Sequence, residues 1–286
     1  MIILDMNQIS VASLMMNMHM TKSDTVDEDM VRHMILNSVR MYRMMFTEEY
    51  GEVVFAWDSR HYWRRDYFPE YKLNRKMGRE KDSKDWDQIY GVLNKIKDEV
   101  RLNLPYKYLE VYGAEADDII AVLCKKYQNE KIVIVSADKD FIQLHKYPKV
   151  KQYSPNTKKM VNGVDPDVYI KEHILKGDSS DGIPNVLSPD NTFVDGLRQK
   201  PLGKKKISQW CNIFDDAFNI DRLPNDEVKR NYQRNLSLID LSKSPEEIFL
   251  SCIKAYQEAP DGDRSKLLNY FTQKRLKNLT ESIGEF

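Results

Sequence analysis

The stretch that decides the fold reads Ile132-Val133-Ile134-Val135-Ser136-Ala137-Asp138-Lys139-Asp140. Its four consecutive β-branched residues are typical of a strand that is buried on both faces, and two aspartates follow closely. Two further runs, Ile2–Met6 and Val53–Trp57, have the same apolar character, and Asp5 and Asp58 lie at or just after their ends. We therefore expect strands with acidic residues at their carboxyl ends.

Longer segments of helical character separate the strand-like runs. They are Glu28–Phe46, Trp86–Leu102 and Ala116–Tyr127, and a fourth strand-like run, Tyr106–Val111, lies between the last two. This alternation predicts an α/β fold, with helices on both faces of a mainly parallel central sheet. We assign that domain to residues 1–163. No strand-like run is convincing in residues 164–286, so we expect a smaller helical region there, packed on the acidic edge of the sheet.

Composition and apolar patterning exclude several classes of protein. The chain of 286 residues has 44 basic and 44 acidic side chains, and its longest apolar runs are far shorter than a bilayer requires. Its N-terminus lacks the basic start and apolar stretch of a signal peptide. The three cysteines are isolated, so we expect neither a disulfide framework nor a zinc site. A cytoplasmic protein without membrane contact is the expectation.

Nine carboxylates in five short clusters are the main candidates for a functional site. They are Asp5, Asp58, Glu115, Asp117, Asp118, Asp138, Asp140, Asp178 and Asp181. Ligands of open parallel sheets bind beyond the carboxyl ends of the strands, where several of these residues are expected. Oxygen-only ligation favours Mg²⁺, with Mn²⁺ as the alternative. Two such ions can bind the attacking and leaving oxygens of a phosphoryl displacement.

Each cluster also has a simpler structural interpretation. Glu115 and Asp118 share a helix face and are as well explained by capping of a helix N-terminus as by metal binding. Asp138 can be a helix cap, Asp5 and Asp58 can be turn formers, and the Gly177–Pro184 segment can be a surface turn. The coincidence of all five clusters favours the metal site.

Two basic segments predict contacts with nucleic acid. Arg60–Lys84 has nine basic against four acidic side chains and is interleaved with aromatic residues, a combination that suits single-stranded nucleic acid. An amphipathic helix with buried aromatics is the alternative. Arg198–Lys206 contains no acid, and its glycine turn before a lysine-bearing helix can offer N–H groups to a phosphate. A solubilising surface loop explains that second segment nearly as well.

The order of these motifs resembles the 5′-nuclease family, which comprises flap endonucleases and 5′→3′ exonucleases. The residues that carry the resemblance are Asp5, Phe55-Ala56-Trp57-Asp58, Glu115-Ala116-Asp117-Asp118, Ser136-Ala137-Asp138-Lys139-Asp140 and Gly177-Asp178-Ser179-Ser180-Asp181. Three further segments resemble the bacteriophage ribonuclease H branch. They are Tyr62-Trp63-Arg64-Arg65-Asp66, Leu144-His145-Lys146-Tyr147-Pro148 and the terminal Gly284-Glu285-Phe286.

The resemblance implies two metal sites in the α/β domain. A helical arch at about residues 60–84 is implied as well, together with a helix–loop–helix DNA clamp in the C-terminal region. The first metal site would consist of Asp5, Asp58, Asp117 and Asp138, with Glu115 and Asp118 nearby. The second would consist of Asp140, Asp178 and Asp181. Lys72 and Arg75 would be catalytic and grip the scissile phosphate. Nucleic acid would contact Arg64, Arg65, Tyr71 and Lys76 in the arch, and Gly203, Lys204, Lys205 and Lys206 in the clamp.

The function that this resemblance implies is Mg²⁺-dependent cleavage at the 5′ ends of DNA and RNA·DNA duplexes. The enzyme would be a monomer that removes lagging-strand RNA primers and flaps during phage replication. A single-strand-binding protein or a sliding clamp is an expected partner, docking on Leu223–Phe286. A PIN-like ribonuclease and an inactive structure-specific DNA-binding protein are the alternatives. The sequence separates neither exonuclease from flap cleavage nor RNA from DNA 5′ ends.

Overall fold

A six-stranded sheet forms the centre of the computed structural model, which describes residues 1–22, 25–213, 220, 223–260 and 262–286. Its strands are β1 (Ile2–Asp5), β2 (Val53–Trp57), β3 (Lys107–Glu110), β4 (Ile132–Val135), β5 (Val150–Ser154) and β6 (Lys159–Met160). They lie side by side in the order β3-β2-β1-β4-β5-β6. All neighbours are parallel except β5 and β6, which confirms the predicted mainly parallel sheet.

Strand register brings the acidic strand ends together. Within the sheet β1 lies between β2 and β4, with Asp5 opposite Ala56 and Leu4 opposite Val135. The residues that follow β2 and β4 therefore leave the sheet beside the end of β1. This edge carries Asp5, Asp58 and Asp138, as the sequence predicts.

Two strands, β5 and β6, were not predicted. The sequence of β5 is Val-Lys-Gln-Tyr-Ser, which lacks a continuous apolar run. Its buried Gln152 is nevertheless well placed, because the amide donates to the carbonyl oxygens of Ser136 at 3.0 Å and Asp138 at 2.6 Å. The strand thus stabilises the loop after β4 through a polar side chain that strand propensity does not favour.

Helices cover both faces of the sheet, as predicted. They are α1 (Met6–Thr21), α2 (Glu28–Tyr50), α3 (Trp63–Tyr67), α4 (Leu73–Glu80), α5 (Trp86–Asn103), α6 (Ala116–Lys126), α7 (Pro166–Lys176), α8 (Lys204–Ile213), α9 (Asp226–Ile239), α10 (Glu246–Glu258), α11 (Leu267–Gln273) and α12 (Lys277–Glu281). Ile2 and Leu4 point into one core with α1, α2 and α5, whereas Ile3 points into a second core under α6 and α10. This alternation follows from the two-residue period of a strand. No helix within the described ranges is long and apolar enough to cross a membrane.

The helices after residue 164 do not all lie at the acidic edge. A third core joins α7, α8 and α9 to Tyr62, Phe68 and Tyr71 of the basic segment, beside that edge. By contrast, α10 packs against α6, and α11 and α12 join the core on the opposite face, where Phe271 contacts Phe286. Only part of the predicted helical region therefore borders the acidic edge.

The basic segment between β2 and β3 forms α3 and α4, at the position of the expected helical arch. Helix α4 has no buried residue, so its basic side chains are carried on the surface. The residue before it, Lys72, has a left-handed backbone with φ of 57°, which is uncommon for a non-glycine residue. Its N–H donates to the carbonyl oxygen of Asp181 at 2.8 Å, so this turn is fixed to the second acidic loop.

Candidate metal centre

A cleft of about 490 Å³ opens at the carboxyl ends of β1, β2 and β4. Carboxylates and two cationic side chains line it: Asp5, Asp58, Asp117, Asp138 and Asp181 with Lys72 and Arg75. Seven residues that the sequence singles out therefore lie around one space. Acids and cations are thus combined where the predicted metal site requires them.

The strand-end aspartates are held by hydrogen bonds to neighbouring segments. Asp5 accepts from the backbone N–H of Gln8 at 3.0 Å and from the hydroxyl of Ser136 at 2.9 Å. Asp58 accepts from the N–H of Ala116 at 2.8 Å, at the start of α6. These bonds fix the orientation of both carboxylates.

Burial and mutual repulsion disfavour the ionised forms of this group of acids. Burial raises the pKa of Asp5 to about 7, with a further contribution from Asp58, and it raises the pKa of Asp138 to about 6 together with the neighbouring Asp140. Burial and nearby carboxylates also raise the pKa of Asp58 and Asp117. A bound cation would remove this penalty, because it favours the ionised forms.

Glu115, the residue before α6, connects this cleft to the basic segment. Lys72 donates to one of its oxygens at 2.6 Å, and the hydroxyl of Tyr71 lies 3.1 Å from the other and 3.0 Å from Asp181. Burial alone would lower the pKa of Lys72, but the adjacent Tyr71, Glu115 and Asp181 outweigh it and keep the ammonium charged. Arg75 pairs with Asp181 and donates to the carbonyl oxygen of Ser180 at 2.8 Å.

Asp118 and Arg64 have structural partners, which corrects two predictions. Arg64 is buried and donates to Asp118 at 2.8 and 2.9 Å, to Glu115 at 2.9 Å and to the carbonyl oxygen of Leu238 at 3.0 Å. Burial would raise the pKa of Asp118, but Arg64 and the hydroxyl of Ser244 outweigh it and lower it. Since both ends of this pair are saturated and hidden, Asp118 does not face the cleft and Arg64 is not accessible to nucleic acid.

Tyr71 is a third correction, because only 3% of it is exposed. Its hydroxyl lies between Glu115 and Asp181, and its ring packs in the third core. Tyr71 is therefore not accessible to nucleic acid, contrary to the prediction, and its hydroxyl instead separates two carboxylates. Arg65 and Lys76, predicted from the same segment, are exposed.

A second group lies beside the cleft and contains a residue that was not predicted from the sequence. His173, Asp140 and Asp178 offer ligand atoms that all lie within 4.8 Å of one another. The imidazole Nε2 is 3.0 Å from Asp140 and 3.7 Å from Asp178, while Asp181 lines an adjoining cavity with both aspartates. Only the position of His173 in the last turn of α7, four residues before Gly177, could have indicated it.

The predicted clamp residues lie away from the cleft lining. Gly203 precedes α8, and Lys204, Lys205 and Lys206 are exposed in its first turn. Helix α8 contacts α7, which carries His173, through the third core. Their proximity to nucleic acid stays a prediction.

Comparisons with known proteins now decide the family. Residues 1–173 match the N-terminal resolvase-like domain of 5′-3′ exonucleases, and residues 164–286 match the C-terminal domain of T4 RNase H. The chain belongs to the 5′-nuclease family. It is 34% identical to the ribonuclease H of Enterobacteria phage T4, an alignment that covers 99% of this chain and 95% of the phage protein. It is 31% identical to the 5′-3′ exonuclease of Buchnera aphidicola subsp. Schizaphis graminum, over 65% of this chain and 66% of that one.

Solved structures show the same fold at lower identity. The T5 D15 protein co-crystallised with metal ions has a TM-score of 0.62 and 18% identity, covering 99% of this chain and 98% of that chain. A complex of the T5 D15 flap endonuclease with DNA and metal ions has a TM-score of 0.63, again with 18% identity, and covers 99% of this chain and 97% of that chain. The family models and the curated relatives, rather than these structures, show that this 5′-nuclease is an enzyme of the nuclease class. Its strand-end acids occupy the edge at which open α/β sheets bind ligands.

The residues of this 5′-nuclease fit divalent cations on two observations. Buried and half-buried carboxylates with raised pKa values converge at the first group, and at the second the Nε2 of His173 lies at ion-pair distance from Asp140 without the alignment of a hydrogen bond. Oxygen-rich groups that are short of positive charge suit hard cations.

Proposed function

We propose that this 5′-nuclease hydrolyses phosphodiester bonds at the 5′ ends of DNA and RNA·DNA duplexes, with one Mg²⁺ ion in its cleft and a second beside it. The observation that carries the proposal is the combination in one cleft of buried or half-buried strand-end carboxylates with Lys72 and Arg75. A phosphate group needs both, because cations hold its oxygens while the carboxylates hold the metals. A pure DNA-binding protein would gain nothing from acids that face phosphate.

The first cation would be held by Asp5, Asp58, Asp117 and Asp138, with Glu115 nearby. The second would be held by Asp140, Asp178 and Asp181. When bound, such ions supply an activated water as nucleophile and compensate the charge on the leaving 3′ oxygen. Asp118 is not assigned to either group, because Arg64 already saturates it.

Lys72 and Arg75 would stabilise the negative charge of the phosphoryl group. Both are held at the cleft by carboxylates, Lys72 by Glu115 and Arg75 by Asp181, so little reorganisation is required before reaction. The two differ in access, since 13% of the Lys72 side chain and 43% of the Arg75 side chain are exposed. Arg75 is thus the better placed to meet an incoming phosphate, and Lys72 the better fixed.

The exposed lysines of α8 would bind the phosphate backbone of the duplex, away from the scissile bond. Helices α7 and α8, with the connection between them, would form the helix–loop–helix clamp, and Arg65 and Lys76 would contact the strand that leaves the arch. Among the relatives, one is the ribonuclease H of a phage and one solved structure is a flap endonuclease with DNA. Removal of RNA primers and flaps in phage replication, with replication proteins docking on the C-terminal region, is the role we propose.

One gel tests the proposal. Flap, nicked and RNA-primed duplexes, each labelled at the 5′ end, would be incubated with the protein in Mg²⁺ or in EDTA. Asp117→Asn and Asp138→Asn should reduce cleavage by about 10³-fold or more, since metal ions contribute several kcal/mol to such reactions. Flap binding should stay within a few-fold. The matched control is Asp87→Asn, the same change at an exposed site in the first turn of α5.

The same gel separates the rival functions when a labelled single-stranded RNA is added as a fourth substrate and a gel-shift assay measures binding of the flap. Cleavage of single-stranded RNA alone would indicate a PIN-like ribonuclease. Binding without turnover in Mg²⁺ would indicate an inactive DNA-binding protein. Wild-type cleavage by Asp117→Asn would overturn the assignment of the first metal group.

A further inference from the structure

His173 lies in the last turn of α7 and points at the second acidic group. Only 16% of its side chain is exposed, and its buried Nε2 lies at ion-pair distance from Asp140, although without the alignment of a hydrogen bond. Tyr169, one turn earlier, stacks on the imidazole with ring centroids 5.4 Å apart and an angle of 29° between the rings. The ring is therefore held in place by packing, with its nitrogen directed at carboxylates.

The distances around Nε2 resemble those within a coordination shell. It lies 3.0 Å from Oδ1 of Asp140 and 3.7 Å from Oδ2 of Asp178. Two ligand atoms at right angles around a cation with bonds of about 2.1 Å are about 3.0 Å apart. Both separations from Nε2 are within the span of two ligands of one ion, and the three side chains together form a group that could hold one cation.

We propose that His173 is a nitrogen ligand of the second metal site and that it makes this site prefer Mn²⁺ to Mg²⁺. The inference rests on the second site of the proposed function and adds a ligand to it. Imidazole favours transition metals, whereas carboxylates alone suit Mg²⁺. Two carboxylates remain beside the imidazole, so a cation that accepts both oxygen and nitrogen is favoured.

The two metal groups would then differ in chemistry. The first group, at the ends of β1, β2 and β4, contains only oxygen ligands. The second contains His173 between Asp140 and Asp178. A mixed population, with Mg²⁺ at the first site and Mn²⁺ at the second, follows when both ions are present.

The test uses Mn²⁺ and the full-length protein without nucleic acid. Electron paramagnetic resonance counts the bound ions, and electron spin echo envelope modulation detects a coordinated ¹⁴N nucleus. We expect a second Mn²⁺ with a ¹⁴N signal in the wild type. In His173→Gln this signal should disappear and the affinity of the weaker Mn²⁺ site should fall by about 10-fold or more, while its Mg²⁺ affinity should change less than about 3-fold.

His33→Gln, the same change at a half-exposed position on α2, is the matched control and should keep the signal. If His173→Gln fails to fold, wild-type protein labelled with [¹⁵N]histidine provides the answer, because the modulation must then change to that of ¹⁵N. Two bound Mn²⁺ ions without any nitrogen coupling would overturn this inference and leave the proposed function intact. Binding of one ion only, unchanged by Asp140→Asn, would overturn the second site altogether.

Discussion

Replacing Arg64 by methionine should destabilise this protein strongly, although Arg64 lies in the segment predicted to bind nucleic acid. The guanidinium makes hydrogen bonds to Glu115, Asp118 and the backbone, and none of these groups is exposed to solvent. Removing one partner of a buried ion pair costs about 3–5 kcal/mol, because the remaining charge is left uncompensated. Glu115 retains its ion pair with Lys72, so most of the destabilisation comes from Asp118. We expect the free energy of unfolding to fall by about 4 kcal/mol.

Urea denaturation followed by circular dichroism measures this loss, with a fall in Tm of about 8–16 °C as the thermal counterpart. The matched control is Arg65→Met at the next residue, whose exposed guanidinium lies 4.5 Å from the ring centre of Tyr62. That contact is worth about 0.5–1 kcal/mol. Arg65→Met should instead weaken flap binding.

The pH dependence of the Arg64 variant provides an independent check. In the wild type the pKa of Asp118 is below its ordinary value of 3.8, so the pair stabilises the fold above that pH and loses its effect as the pH falls through the lower, folded pKa. In Arg64→Met, burial is opposed by the hydrogen bonds from the Ser244 hydroxyl and the Glu115 N–H but no longer by the guanidinium, so the pKa of Asp118 should rise. The loss of stability caused by Arg64→Met should therefore become smaller as the pH falls from 7 to 5. Adding Asp118→Asn to this variant should restore part of the stability. A loss below about 1 kcal/mol together with weakened flap binding would refute this reasoning and return Arg64 to the nucleic-acid surface.

Three further predictions follow from the site. Because the pKa of Asp5 is raised to about 7 and that of Asp138 to about 6, the metal-free fold is destabilised at high pH, and this destabilisation decreases as the pH falls. The rise in Tm caused by Mg²⁺ should therefore be largest at pH 8 and shrink through pH 7 and 6. A rise in Tm that does not depend on pH would contradict this. Gly177→Ala should lower the free energy of unfolding by about 2 kcal/mol or more, measured in thermal melts, because φ is +66° and a Cβ would lie 2.3 Å from a carbonyl oxygen. Gly78→Ala is the control and should be neutral or stabilising, because a Cβ at this position of α4 meets open space. Alanine at residues 204–206 should lower the slope of duplex affinity against salt by about 1 for each phosphate that a lysine no longer neutralises, measured by fluorescence anisotropy, while Tm stays unchanged.

The fold was predictable because its signals are local. Each β-branched run and the acid after it lie within a few residues of one another, and the helical segments follow directly along the chain. The sheet register then brings Asp5, Asp58 and Asp138 together. The elements that were not predicted depend on tertiary contacts. β5 is stabilised by the buried amide of Gln152, which bonds to a loop of another strand.

The burial of individual side chains could not be predicted from the sequence of the basic segment. Arg64 and Arg65 are adjacent in the sequence and equally basic, yet one is buried and the other is exposed. The difference comes from α3, which turns Arg64 toward α6 and α9 and leaves Arg65 on the surface. His173 was missed for the converse reason, since a single histidine on a helix has no pattern until the helix meets Asp140 from another element.

The Glu115-Ala116-Asp117-Asp118 motif contains information that distinguishes its two aspartates. Asp118 is the third residue of α6, and its carboxylate accepts from the backbone N–H of Glu115 at 3.0 Å, as the third residue of a helix does in a capping box. That bond directs Asp118 back along the helix start, toward Arg64. Asp117 is rotated by about 100° from it, since a helix has 3.6 residues per turn, and it lines the cleft instead. This capping bond, rather than the number of acids, therefore assigns Asp118 to the fold and leaves Asp117 facing the cleft in which we propose the first metal.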